Sequence, residues 1–376
     1  MPSWEVNFAL YPDSVIPPSH YIAQAVRRIL AVGKDGFLPG SVWDERYVST
    51  VWNMLLGSAL NQDPGTPKEI NVDSKIRALA FLPGKSLRIV SGEESTVQLR
   101  HLDDQLMGEP IESSKTVLFV AASSDGSRIV TGTTDGFAIW DAKGELVVRH
   151  AIGGVRTIDI SSDSNWVVTG SDARTVDVWK MSTGERRLDP LRHEYNVVAV
   201  KFCPCSERIA TATLFGSVRI FATNSGKKLL TIPISVTTNL SVSNVTFAWF
   251  THRPQIFAVS QGQIKCINTD DGSLIYQWPT RGVSHPSSVV LSPNNKLIAY
   301  SINNSVVLRD TATRQQVGEN FKHEGNVSCI AFSPGSDCLV VGADTKFTIW
   351  GLRKLLNDTS YFTDVGISTR MTNLIS

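Results

Sequence analysis

The chain has 376 residues, a formal net charge of +1, 42% hydrophobic residues and 19% charged residues. That length admits one large or two medium domains, and the near-neutral total makes no electrostatic case for nucleic-acid binding, which usually shows a basic face or stripe. No run of about 18 apolar residues occurs, so no transmembrane helix is expected; residues 1–13 carry Glu5 and Asp13 and no basic stretch before an apolar core, so they are not a secretory signal, and the expected setting is cytoplasmic or nuclear.

Residues 1–65 read as a short helical extension. Over 19–30, Ser19 can cap a helix whose Ile22, Ala25, Val26, Ile29 and Leu30 share one face, and Gly33 can end it. A second helix is expected from Ser41, with Asp44 in its first turn, an apolar stripe that includes Tyr47, Val51, Trp52 and Leu55, and Gly57 as its stop. The two faces can pack on the rest of the chain or hold a partner.

From 66 to 354 one pattern recurs seven times. An alternating apolar strand leads to a Ser-Pro or Ser-Asp turn. A second apolar strand ends in small residues, and a tight turn leads to a third strand that closes on Trp or a substitute. The first turn falls at Pro83, Asp125, Asp163, Pro204, Thr251, Pro293 and Pro334, at intervals of 38 to 47 residues. The third-strand anchor falls in the same register at Arg100, Trp140, Trp179, Phe221, Ile267, Arg309 and Trp350. Period-two segments such as Val198-Ala199-Val200-Lys201-Phe202 are strands with distinct faces. A repeat of about 40 to 45 residues with three or four short strands is a propeller blade. The fold class is therefore all-β, a seven-bladed β-propeller behind a short N-terminal helical extension. Outer strands are expected from the segments before each next repeat, such as 186–191.

The last repeat ends near Leu355 with no evident fourth strand behind it. A closed ring has no open edge, so 67–71 is expected to pair with the third strand of blade seven; 361–367 is the alternative. Residues 355–376 form a polar tail. Of the five cysteines, Cys203 and Cys205 are too close in sequence for a zinc pair. All five, with Cys266, Cys329 and Cys338, read as small apolar fillers.

These repeats resemble the WD-repeat family, in a divergent, fungal-like form. Among the copies only Trp140-Asp141 is a Trp-Asp pair. Trp179 and Trp350 hold the Trp position alone, and His193, His285 and His323 hold the family's His position without its preceding Gly. Asp344 fits the family's turn Asp, Asp135 fits with one deletion, and Asn303 and Phe215 replace it in blades six and four. The resemblance implies that a His, a strand hydroxyl, the turn Asp and the Trp hydrogen-bond inside a blade. No copy carries all four, and blade seven has His323, Asp344 and Trp350 but Gly342 at the expected hydroxyl position. Trp140, Asp141, Trp179, Trp350, Asp344, His193, His285 and His323 are read as structural blade residues, because buried polar groups need partners.

The resemblance implies a non-catalytic scaffold or adaptor for other proteins or peptides, monomeric or held in a complex. The loops before each inner strand and the turns between second and third strands share one rim, where recognition residues gather. On it stand Arg156, Arg174, Tyr195, Phe215, Asn303, Asn304 and Lys346. Phe215, an aromatic in a tight turn, is the sharpest binding candidate. No phosphate loop, zinc pair or nucleophile elbow appears, and neither cofactor nor metal is expected. Narrower expectations are a substrate receptor of a cullin ubiquitin ligase, for which Trp140-Asp-Ala-Lys143 nearly matches a Trp-Asp-x-Arg ending, and the propeller part of a larger signalling receptor. A propeller enzyme is the third class.

Overall fold

A computed structural model describes residues 67–84, 88–102, 106–113, 115–214, 217–233, 246–260, 262–280, 288–356 and 361. The helical extension over 1–65, Phe215, His285 and most of the 355–376 tail lie outside the described residues.

Wherever apolar and polar residues alternate within a repeat, the chain forms a strand. Among the described residues, 28 strands make seven four-stranded sheets. Blade two shows the order: inner strand Val117–Ala122, second Arg128–Thr133, third Gly136–Asp141 and outer Leu146–His150, each antiparallel to its neighbour. Six blades follow the chain over 76–112, 117–150, 155–192, 197–232, 246–279 and 289–322. Blade seven takes three strands from 327–351 and its outer strand, Lys68–Asn71, from the start of the described chain. That strand pairs with Lys346–Gly351 in the register Lys68↔Ile349 to Asn71↔Lys346, which settles ring closure in favour of the N-terminal segment.

Inner strands contact one another in cyclic order, with Ile76–Leu82 of blade one beside both Val117–Ala122 and Val327–Phe332, so the ring is closed. Each third-strand anchor lies opposite a buried aliphatic of the second strand, for example Trp140↔Ile129, Arg309↔Ile298 and Trp350↔Leu339. The apolar faces fill the spaces between blades. Val117 and Ile129 of blade two pack with Leu82, Val90 and Val97 of blade one, and blades three to seven repeat the arrangement. Stacked sheets of this kind bury a continuous core that no single blade could bury alone.

The outer strands differ from the expected 186–191. In blade three the strand proper is Leu191–Arg192, preceded by a single bridge from Trp179 to Arg186. The same short form recurs in blades one and six. A short edge of this kind offers little backbone for another chain to pair with.

Candidate functional site

One rim gathers the segments that lead into the inner strands and the turns between second and third strands, and backbone hydrogen bonds tie the two sets together. Gly154 N–H donates to Thr134 O at 2.5 Å, His193 N–H to Arg174 O at 2.8 Å and Val327 N–H to Asn303 O at 2.9 Å. Tight turns put Arg174 and Asn303 in the left-handed region, at φ 63° and 52°. This fixes the direction in which those exposed side chains leave the sheet. Tyr195 is exposed just before the inner strand of blade four. Asn304 is held by its Nδ2 donating to His323 O at 3.1 Å. Lys346 Nζ lies between Glu69 at 3.1 Å and Glu324 at 2.9 Å, beside a cavity of about 500 Å³ that His323 and Asp344 also line. These two carboxylates push the Lys346 ammonium up from its ordinary range.

The central mouth on this rim has a feature that the repeat alone does not show. In blades one, two, three, four and seven the register of the inner strand shifts between its first and third residues. The residues inside these bulges are Arg77, Leu118, Arg156, Val198 and Ser328. A bulge inserts an extra residue into one strand and re-aims its side chain. Four of the five, Arg77, Leu118, Arg156 and Ser328, line one cavity of about 550 Å³. Arg156 Nε donates to Asp172 Oδ1 at 2.7 Å, and Asn196 Nδ2 donates to the same oxygen at 2.8 Å. Lys75 pairs with Asp344 at 3.3 Å, and Arg77 has no acidic partner among the described residues. The lining thus carries three cations, of which Arg156 and Lys75 are paired and Arg77 is not, beside the apolar Leu118 and Phe119.

Inside the blades, Trp140 Nε1 donates to Thr131 Oγ1 and Trp179 Nε1 to Thr169 Oγ1, both at 2.9 Å. In blade four Phe221 takes the Trp position. There the His193 Nδ1–H donates to Leu191 O at 3.0 Å, and Nε2 meets Thr211 Oγ1 at 2.9 Å. This imidazole ties the outer strand of blade three to the second strand of blade four. Burial pushes it down to about 4, so it is neutral at physiological pH. Other blades fill the position differently. Arg100 lies 3.7 Å from buried Glu93, which accepts from Ser91 Oγ at 2.6 Å, and Arg309 Nε donates to Tyr300 Oη at 3.0 Å. Asp141 Oδ1 accepts from the backbone N–H of Lys143 and Glu145, so its role is to hold the turn into the outer strand. Among the described residues, no group of three or more His, Cys, Asp or Glu is arranged to hold a metal ion. Nor is any helix long and apolar enough to cross a membrane.

A family profile described as WD domain, G-beta repeat, matches residues 146–180 and 315–351. Both stretches begin at or just before an outer strand and run through the next three strands, so one sequence repeat straddles two blades. With seven such blades closed by the first strand, the assignment is decided. The chain is a seven-bladed β-propeller that carries WD repeats. Its similarity to transcription initiation factor TFIID subunit 5 of Caenorhabditis elegans is 28% identity over 145 residues, which spans 38% of this chain and 22% of that protein.

The propeller corrects three details of the sequence reading. The residue opposite the indole two places along the second strand is Thr131 in blade two and Thr169 in blade three, so in blade seven it is Val341, not Gly342. Gly342 instead faces blade one, where an added Cβ would lie 2.9 Å from Ile76 Cγ2 and 2.7 Å from Cys329 Sγ. Asp344 pairs with Lys75 on the rim, while Trp350 Nε1 and His323 Nε2 are buried with no hydrogen-bond partner. Cys203 and Cys205 are joined by a disulfide; Cys266, Cys329 and Cys338 are free and buried. Sequence reasoning also missed His150, whose ring packs 4.6 Å from Trp179. It sits five residues before the inner strand, whereas His193 and His323 sit four before theirs, and that spacing was the available signal.

The unpartnered atoms of blade seven make a prediction. Val341→Thr places a hydroxyl where Trp350 Nε1 and His323 Nε2 can both reach it, as Thr169 serves Trp179 and Thr211 serves His193. A buried unsatisfied polar group costs about 1–3 kcal/mol. The variant is expected to be more stable by about 1 kcal/mol in denaturant unfolding, whereas Val341→Ala is expected to be less stable by at least as much.

Proposed function

We propose that this WD-repeat propeller is a non-catalytic scaffold that holds an acidic segment of a protein partner at the mouth of its central channel, on the rim of blades one to three. The observation that carries this reading is the set of bulged inner strands, which brings Arg77, Leu118 and Arg156 into one open cavity with Lys75. Cations beside an apolar floor match a peptide with Asp or Glu next to an aliphatic or aromatic side chain. Such complementarity governs partner choice and association rate more than total affinity. Arg174 and Tyr195, exposed on the adjoining rim of blades three and four, extend the same surface.

The similarity to a TFIID subunit supports placing the propeller within a multi-protein assembly and is compatible with a nuclear setting.

The test is retention of peptides from an immobilised library by the purified protein, followed by solution binding of the retained sequences. Acidic–apolar peptides are expected to be enriched and to bind more weakly as salt rises. Arg77→Glu with Arg156→Glu should weaken them at least about tenfold, or about 1.4 kcal/mol, with an unchanged melting temperature. Equal binding by wild type and variant would refute this site.

A further inference from the structure

The turn between inner and second strands has one side-chain design in most blades. A Ser opens it at Ser123, Ser161, Ser292 and Ser333. Each hydroxyl accepts the backbone N–H five residues on at 2.9 Å. In blades two, three and six it also donates to the residue two places on, for example Ser123 to Asp125 Oδ1 at 2.6 Å and Ser292 to Asn294 Oδ1 at 2.7 Å. In blade four both positions are cysteine. Cys203 stands in the Ser position and accepts the Arg208 N–H at 3.2 Å, and Cys205 stands in the Asp position and is bonded to it.

The backbone of this turn does not depend on the disulfide. Its left-handed residue is Ser206 at φ 61°, and the equivalents in blades three, six and seven are Ser164 at 58°, Asn295 at 61° and Ser336 at 61°. The fold therefore brings the two sulfurs together in the same way that it brings Ser and Asp together elsewhere. Because the bond spans a sequence separation of only 2, it removes little freedom from the unfolded chain and is a poor stabilising staple. Its two ends differ in access: Cys205 is exposed and Cys203 is 3% exposed.

We propose that Cys203–Cys205 is a thiol–disulfide exchange site that takes small monothiols of the glutathione class while the propeller stays folded. The thiolate of the monothiol attacks the exposed Cys205 Sγ and forms a mixed disulfide there. The Cys203–Cys205 bond breaks, and its electron pair leaves on Cys203 Sγ, where the Arg208 N–H is positioned to stabilise the thiolate before a solvent proton arrives. A second monothiol thiolate attacks the mixed disulfide and releases the oxidised monothiol and the Cys205 thiolate. Two monothiols are thus oxidised to one disulfide as the protein pair gains two electrons, and the reverse steps restore the bond. The other three thiols are internal controls. Burial pushes Cys266 up to about 11 and Cys329 and Cys338 up to about 12, so they carry almost no thiolate.

The test equilibrates the full chain at neutral pH in reduced and oxidised glutathione of graded ratio. Free thiols are trapped with N-ethylmaleimide, and labels are counted on the peptide containing Cys203 and Cys205. That peptide is expected to pass from no label to two as the ratio rises, with the melting temperature moving by less than about 2 °C and with no label on the other three cysteines. Cys203→Ser with Cys205→Asp, which installs the pair used in blades two and three, should fold normally and show no redox response. A peptide that stays unlabelled, or fully labelled, at every ratio would overturn the proposal. Labelling of Cys266, Cys329 and Cys338 in step with the pair would also overturn it, since the change would then be unfolding.

Discussion

Deleting residues 66–71 is expected to lower the melting temperature by on the order of 10 °C and to make the protein self-associate. The deleted segment contains the outer strand of blade seven. Its Ile70 is 3% exposed, its backbone pairs with Lys346–Gly351, and its Lys68 Nζ donates to Leu102 O of blade one at 3.0 Å. Burial of one Ile contributes about 1.5–3 kcal/mol, and the lost ladder bonds contribute about 0.5–1.5 kcal/mol each. A total of about 4 kcal/mol corresponds to that shift at about 2–4 °C per kcal/mol for a domain of this size. Self-association follows because the third strand of blade seven would present an unpaired edge. Ile70→Asp keeps the backbone and buries a charge instead, and it should cost about 3 kcal/mol or more. Calorimetry and sedimentation at two concentrations check both outcomes. An unchanged melting temperature for both variants would mean that this strand does not hold the ring shut.

Acidification is expected to destabilise the protein largely through His193, by about 2–3 kcal/mol between pH 7 and about pH 4.5. Burial holds the folded imidazole down at about 4, below the ordinary value of 6.5. The unfolded chain takes up this proton near 6.5 and the folded chain only near 4, so the unfolded state binds more protons across that window. Stability is therefore level above the window and falls as pH drops through it. His323, pushed down by its own burial, acts in the same direction. Asp177, pushed up by burial, opposes it only near the carboxylate range. His193→Leu removes the main titrating group and leaves Thr211 its contact with Arg219 O at 3.4 Å. Urea unfolding at the two pH values should show wild type losing most of this difference and the variant losing well under half of it. Equal slopes would show that His193 does not set the pH response.

Much of the fold was legible because its cause is local. Period-two alternation and a turn about every ten residues specify strands and hairpins whatever their neighbours do. Both anchor sets named seven blades correctly even though six of the seven copies lack a Trp-Asp pair. The need for a closed edge also pointed to 67–71, with 361–367 as the alternative, and the strand that forms there buries Ile70. The hydroxyl position of blade seven was not legible, since a slip of one residue turns a side chain to the other face of the sheet. Gly342 and Val341 are adjacent in sequence, but Gly342 faces blade one and Val341 packs with Leu297, Ala299 and Leu308 of blade six.

The candidate site was legible only in part. Arg156 was placed on the rim from the repeat, but Lys75 and Arg77 were not, and nothing local marks the bulges that turn Arg77 and Arg156 into one cavity. Asp344 looked like an internal blade residue because its turn position is right. Its partner, Lys75, lies at the other end of the chain and reaches it only when the ring closes. The sequence by itself determined the repeat, the strand faces and the blade count, because these depend on interactions between residues near in sequence. Only the tertiary structure decided which of two segments closes the ring, which cations share the mouth, which indoles lack a partner and that Cys203 and Cys205 meet. Each of those depends on contacts set by ring closure, by strand register or by the left-handed turn that folds a side chain back onto its near neighbour.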